Sequence, residues 1–310
     1  MKTIMVTGGA GFIGSHLCEK LVKQNYKVLC IDNLHTGNIE NLDQIINNKN
    51  FTFIEHDIVS PLNIKCDFIV NLACPASPIH YQNDPVKTIR TNVNGSINLL
   101  ELAKKNMATI LQASTSEIYG DPLIHPQKES YSGNVNIIGP RSCYDEGKRC
   151  AETLFFDYKR QYGLNIKVLR IFNTYGPRLG LDDGRVISNF ITQALKNQKI
   201  TIYGDGSQTR SFCYIEDMVN AFILFIESGK KITGPFNAGN PDEITIKEIA
   251  QKIIKITKSD SKLTYENFPQ DDPLKRKPDI KLIKKNLNWR PRIDLNNGLK
   301  KTIKYFQKKL

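Results

Sequence analysis

Short apolar runs and amphipathic stretches take turns through the first half of the chain. TIMVT (3–7), KVLCI (27–31, ending in Asp32), FTFIE (51–55), CDFIVNLA (66–73), ATILQAS (108–114) and IKVLRIF (166–172) each read as a short buried strand. Between them, residues 12–24, 85–106 and 143–162 carry apolar positions at helical spacing. Such alternation predicts an α/β fold, a doubly wound parallel sheet with helices on both faces.

After NTYGPR (173–178) the pattern changes. A helix at 185–197, the strand KITIYG, the turn GDGSQ and a segment near 212–240 follow, the last of these read as a return to the first unit. Residues 241–310 read as a helix, a PQDDPLKRKPD loop and the closing WRPRIDLNNGLKKTIKYF, with Trp289 taken as packing. We therefore expect two units, 1–175 and 176–310, the second smaller and mixed α/β, without a loose linker between them.

Composition narrows this picture without redirecting it. At 310 residues and 40% hydrophobic, the chain can bury a full core. No run of eighteen apolar residues is present, so no membrane-crossing helix is expected. MKTIMVTGGAGFIG enters a strand and glycine turn at once, which predicts no signal peptide. Seven cysteines without a CxxC pair fit reduced thiols in a cytoplasm and argue against a metal site. The net charge of +12 is concentrated: residues 251–310 hold 17 Lys+Arg against 6 Asp+Glu, leaving +1 for the other 250. That distribution, with no aromatic-plus-basic motif, argues against nucleic acid and suits a small polyanionic ligand or a solvated lysine-rich surface.

Two stretches carry the chemistry. In TGGAGFIG, Gly8, Gly11 and Gly14 follow a strand and open a helix, the setting in which a glycine turn cradles a pyrophosphate on free helix N–H groups. Phe12 and Ile13 belong to the same turn. Asp32, 18 residues after Gly14, is placed to accept from both adenosine ribose hydroxyls and would repel a 2′-phosphate, which predicts NAD over NADP. Asn33, Asp57 and Ile58 at the next strand ends, and Leu72, complete the expected cofactor wall of a Rossmann-type unit. Downstream, Tyr144 and Lys148 stand four apart on one helix face, a phenol beside a cation. The lysine, helped by a bound nicotinamide, is expected to draw the phenol's pKa towards neutrality so that it can move a proton.

STSEIYG (114–120) lies at the carboxyl end of a strand and resembles the SSxxVYG segment of extended short-chain dehydrogenases/reductases. The alignment puts Thr115 at the catalytic hydroxyl, beside Tyr144 and Lys148. Sugar-nucleotide 4,6-dehydratases of that superfamily carry Asp-Glu after the threonine, whereas this chain has Ser116-Glu117. LACPASPIHYQNDPVKT, NIIGPRSCYDEGKRCAET, RIFNTYGPR, DGRVISNFI, YGDGSQTRSF and QDDPLKRKPDI together resemble the UDP-glucuronic acid decarboxylases, in that family's order.

The resemblance implies an NAD-dependent enzyme acting on UDP-glucuronate. Oxidation at carbon 4 makes a β-keto acid, carbon dioxide leaves, carbon 5 is protonated, and the hydride returns to give UDP-xylose. It implies that Tyr144 takes the hydroxyl proton, that Thr115 bonds the sugar, and that Glu117, with Ser116, helps deliver the proton to carbon 5. Arg210 is implied at the diphosphate or the carboxylate, Arg276 at the nucleotide end and Asn173 at the diphosphate. Ser77, Pro78 and Tyr81 would face the sugar, with Arg178, Arg185 and Tyr203 as further substrate contacts. A homodimer through the helices at 85–106 and 143–162 is also implied, the apolar faces Leu99, Leu102, Ala103 and Ala151, Leu154, Phe155 fitting either that interface or burial on the sheet. The chain resembles the soluble members, which lack a membrane-anchoring extension. The rival readings are a UDP-glucuronate 4-epimerase, a dehydratase and a non-catalytic NAD-binding scaffold.

Overall fold

The computed structural model describes residues 1–310. In chain order β1 (Thr3–Thr7), β2 (Lys27–Asp32), β3 (Phe51–Glu55), β4 (Phe68–Asn71), β5 (Thr109–Thr115) and β6 (Ile166–Ile171) form one parallel sheet. The chain leaves it for β7 (Thr174–Tyr175), β8 (Ile200–Tyr203), β9 (Thr209–Ser211) and β10 (Cys213–Tyr214), then returns as its seventh strand, β11 (Phe236–Ala238). The order is β11-β6-β5-β4-β1-β2-β3. Winding therefore runs outward from β1 through β3 and resumes on the other side at β4. The connections part between β1 and β4, which opens a crevice at the carboxyl ends of the strands.

The helices are α1 (Phe12–Lys23), α2 (Pro78–Asn83), α3 (Pro85–Arg90), α4 (Ser96–Asn106), α5 (Ser142–Tyr162), α6 (Val186–Leu195), α7 (Ile215–Glu227), α8 (Ile246–Thr257), α9 (Lys281–Leu287) and α10 (Leu295–Gln307). Alternate strand residues separate the two cores, as period-two geometry requires. Val6, Val28, Val70 and Leu111 pack with Leu17 and Leu21 of α1 and Met218 and Phe222 of α7. Met5, Ile69 and Ile110 pack with Leu99 and Leu102 of α4 and Phe155 of α5.

The helices add two particulars to what was expected. The expected helix over 85–106 runs unbroken as α3, a wide π-helical turn at Thr91–Gly95, and α4, with right-handed helical angles at Arg90, Thr91, Gly95 and Ser96. Asn92 sits in that turn and bonds back to the Thr88 carbonyl and to Cys74 Sγ. A Cβ on Gly147 of α5 would lie 2.9 Å from the Asn92 amide nitrogen, so the glycine of YDEGK lets the two helices close. Second, Leu99, Leu102, Ala103, Ala151 and Phe155 are all buried within this one chain, and only Leu154 is half-buried. Leu99, Leu102, Ala103 and Phe155 pack in the core against the sheet, the second of the two alternatives left open.

Beyond the sheet, β8 pairs with β13 (Leu263–Glu266), and β9 lies between β12 (Glu243–Thr245) and β14 (Lys275–Arg276). Trp289, 1% exposed, donates to the Asp217 carbonyl at 3.0 Å. The Asp217 carboxylate accepts from the backbone N–H groups of Arg292 and Ile293. The closing segment is thus clasped to α7, and Trp289 is packing, as expected. No helix is long and apolar enough to cross a membrane.

Candidate active site

One cavity of about 870 Å³ occupies the crevice, and every residue singled out from the sequence lines it except where stated otherwise. At its glycine end, Gly8 has φ +67° and donates its N–H to the Ile31 carbonyl. A Cβ on Gly8 would come within 2.8 Å of the Leu72 backbone, and one on Gly14 within 2.1 Å of the Gly8 carbonyl oxygen. Gly11 precedes α1 with no side chain capping the helix, so the first N–H groups face the crevice. Phe12 and Ile13 border the same wall.

Asp32 closes β2. One carboxylate oxygen accepts from the Ala10 N–H (2.9 Å) and the other from the Leu34 N–H (2.8 Å). Burial raises its pKa, with those N–H groups pulling the other way. Asp57 is pinned by Asn33 Nδ2 (2.9 Å) and the Val59 N–H, beside Ile58 and Leu72. A glycine cradle, free helix N–H groups and a carboxylate at the second strand end fit a dinucleotide.

The reactive end gathers on β5 and α5. Thr115 accepts from the Glu117 N–H at 3.2 Å and so caps the short 3₁₀ turn Ser116–Tyr119. Lys148 donates to the Ala113 carbonyl at 3.0 Å, with its ammonium 5.8 Å from the Tyr144 ring centroid. The expected acidification of Tyr144 is not built into the protein alone. Burial pushes the phenol well above its ordinary value, Cys74 adds to this, and the Thr115 hydroxyl opposes it. Lys148 gives one N–H to a carbonyl, and burial lowers its pKa. A lowered phenol would therefore need charge from outside the protein, as the expectation of a bound nicotinamide has it.

Glu117, expected to help deliver the proton to carbon 5, sits between two arginines. Arg141 Nη2 lies 2.6 Å from one carboxylate oxygen, and Arg276 grips the other. Burial raises the carboxyl, but the Arg276 and Arg141 charges outweigh it and hold the group well below the usual carboxylate range. Arg276, expected at the nucleotide end, is 2% exposed and also bonds Ser116 Oγ and the Gly120 carbonyl. It braces the Ser116–Tyr119 turn.

Arg210, 7% exposed, pairs with Asp272 at 2.8 Å and donates to the Thr209 carbonyl. Arg178 is held by Glu19 of α1 at 2.7 Å, leaving Nη1 without a partner, and Arg185 is held by Asp183. Both therefore reach the cavity with much of their charge already answered. Asn173 lies on the wall, and Tyr203, 42% exposed, stands at the rim. Ser77 Oγ and Tyr81 Oη are buried without partners, beside Pro78. Sequence reasoning missed Arg141 and Asp272. Arg141 stands one helical turn before Tyr144 and could have been found by that spacing; Asp272 carries no local signal.

Comparison with known proteins follows the same lines. Residues 4–239 match the NAD dependent epimerase/dehydratase family. The chain is 52% identical over 307 residues to UDP-glucuronic acid decarboxylase 1 of Arabidopsis thaliana, covering 99% of this chain and 70% of that protein. It is 49% identical over 309 residues to UDP-glucuronic acid decarboxylase 1 of Xenopus tropicalis, covering 100% and 73%. The crystal structure of UDP-glucuronic acid 4-epimerase from Bacillus cereus, in complex with UDP-glucuronic acid and NAD, superposes with a TM-score of 0.90 at 29% identity, covering 99% and 100%.

Proposed function

Because this chain belongs to the NAD dependent epimerase/dehydratase family, we propose that it decarboxylates UDP-glucuronate to UDP-xylose through a 4-keto intermediate, with NAD as a regenerated cofactor. One observation carries the choice of substrate. Three guanidiniums (Arg141, Arg210, Arg276) meet only two carboxylates (Glu117, Asp272) at the sugar end of the cavity. The surplus positive charge suits a uronate carboxylate, and Arg210 is the arm we assign to it.

NAD would lie along Gly8, Gly11, Gly14, Asp32 and Asp57, and when bound it oxidises sugar carbon 4 and later reduces it again. Thr115 bonds the 4-hydroxyl and Tyr144 removes its proton. Lys148 holds the nicotinamide ribose. Ser77 and Tyr81, whose buried hydroxyls lack partners, meet the sugar. Asn173, Arg178 and Arg185 serve the diphosphate side, and Tyr203 the rim. Glu117, fixed as an anion, positions Arg141 and Arg276 and keeps the leaving carboxylate turned away from the ketone plane.

A homodimer and a cytoplasmic setting are part of the same reading. Val86 and Ile89 of α3, 64% and 39% exposed, leave an apolar strip for a second copy, and all seven cysteines are free thiols. Sedimentation of the holoenzyme tests the first.

Proton NMR of UDP-glucuronate incubated with the protein and catalytic NAD tests the function. A UDP-pentose forming without net cofactor reduction is the expected result. UDP-galacturonate would make the protein an epimerase, and unchanged substrate would remove UDP-glucuronate from its repertoire.

A further inference from the structure

A carboxylate entering the cavity finds two of its arginines already taken. Arg141 Nη1 lies 3.2 Å from Asp272 Oδ1, and Arg210 Nη2 lies 2.8 Å from Asp272 Oδ2. All three side chains line the large cavity. One carboxylate thus bridges two guanidiniums, with one oxygen on each. That is the seat a uronate would need, and an acid of the protein's own fills it.

Each arginine keeps an anchor when Asp272 leaves. Arg141 Nη2 stays on Glu117 at 2.6 Å, and Arg210 Nη1 donates to the Thr209 carbonyl at 2.9 Å. The loop that carries Asp272 has ties of its own. Asp271 accepts from Asn136 Nδ2 at 3.0 Å, the Leu274 carbonyl accepts from the Thr209 N–H at 3.2 Å, and Pro273 is buried. Asp272 itself keeps 28% of its side chain in solvent, whereas both arginines are buried. Turning one side chain outward therefore empties the seat without dismantling the loop or moving the guanidiniums.

We propose that Asp272 is a specificity-determining residue: its carboxylate occupies the seat of the sugar's carboxylate, and only a ligand carrying a carboxylate of its own displaces it. The inference rests on the decarboxylase reading above and deepens its account of substrate choice. Guanidiniums only donate, so the vacated Arg141 Nη1 and Arg210 Nη2 need an acceptor. A uronate remakes both charge-assisted bonds while the expelled Asp272 is hydrated, so one anion replaces another at little net cost. A neutral hydroxymethyl on the same sugar remakes neither bond at full strength, and two buried cations would be left under-paired. Discrimination then comes from an internal competitor as well as from attraction. The same competitor makes UDP-glucuronate bind more weakly than an empty seat would allow.

The test is steady-state kinetics of the NAD-loaded enzyme with Asp272 replaced in three ways. Asp272→Asn removes the competing charge and should lower KM for UDP-glucuronate about tenfold, the worth of one charge-assisted hydrogen bond. The inhibition constant of UDP-glucose, which has a hydroxymethyl in place of the carboxylate, should stay within about twofold. Asp272→Glu keeps the charge and should hold KM within about twofold of wild type. In Asp272→Ala, added acetate should refill the seat and raise KM for UDP-glucuronate towards the wild-type value, while leaving the wild-type enzyme unaffected. A KM in Asp272→Asn equal to or above that of the wild type overturns the proposal, since Asp272 would then be supporting the arginines. An equal fall of KM in Asp272→Glu overturns it too, as does acetate acting alike on Asp272→Ala and wild type. Failure of the wild-type enzyme to form a UDP-pentose is a separate result, and strikes the decarboxylase reading itself.

Discussion

Tyr81 lies flat against Tyr144, with ring centroids 5.1 Å apart and planes within 8° of parallel. The first ring comes from α2, a six-residue helix in PASPIHY, and the second from the start of α5. Stacking fixes the plane of the phenol that must meet the sugar hydroxyl. Tyr81→Phe should keep kcat within a few-fold of wild type and raise KM about tenfold, the loss of one hydrogen bond to the sugar. Tyr81→Ala should lower kcat itself by about tenfold or more, because the catalytic ring loses its support. Steady-state kinetics on UDP-glucuronate separates the two.

Glu117→Gln should reduce kcat by about a hundredfold or more while NAD binds at full stoichiometry. The glycine cradle is untouched, but Arg141 and Arg276 lose the anion between them. Full decarboxylation by that variant would remove Glu117 from the mechanism. A drop in thermal stability should accompany the kinetic loss, since two buried guanidiniums then share one fewer charge.

These roles were unequally legible in the chain. Gly8, Gly14, Tyr144 and Lys148 announce themselves because each acts with neighbours a few positions away, where turn and helix geometry set the spacing. Thr115 was reached through the resemblance of STSEIYG to a family segment. The arginine grip on Glu117 was hidden because it is a tertiary fact: Arg276 reaches Glu117 across 159 positions, and Asp272 meets Arg141 across 131. No periodicity encodes such a pair. The apolar face of α4 and α5 was ambiguous for a different reason, since burial on a sheet and burial on a partner demand the same residues.

Behind Ser114, which lines the cavity, Arg170 forks onto Glu152, with Nε at 3.0 Å and Nη2 at 2.7 Å, and Ser114 donates to the same carboxylate. Its third nitrogen donates to Tyr119 Oη, which in turn donates to Asn237 on β11. The network links β5, β6, α5 and β11. Arg170→Met leaves a buried carboxylate uncompensated and should cost about 3–5 kcal/mol. Adding Glu152→Met should restore a large part of it, as read by urea unfolding.

His16 sets a pH dependence of stability. Its ring nitrogen lies 2.9 Å from the Pro177 carbonyl, and burial holds the imidazole at about 4 against an ordinary 6.5. Below pH 6.5 the unfolded chain therefore takes up a proton that the folded chain refuses. Stability should be full above that pH and fall as pH drops towards 4, by about 3 kcal/mol at most. His16→Gln should flatten this part of the melting-temperature profile.

The 159 positions between Glu117 and Arg276 also order events during synthesis. Six contiguous strands of the sheet, with the glycine cradle and Tyr144, are complete once Ile171 has been made. At that stage Arg141 is the one arginine available to Glu117, and β14 has not left the ribosome. A nascent chain can thus assemble its cofactor half first, while the catalytic turn waits, half neutralised, for a strand of two residues to arrive and close it.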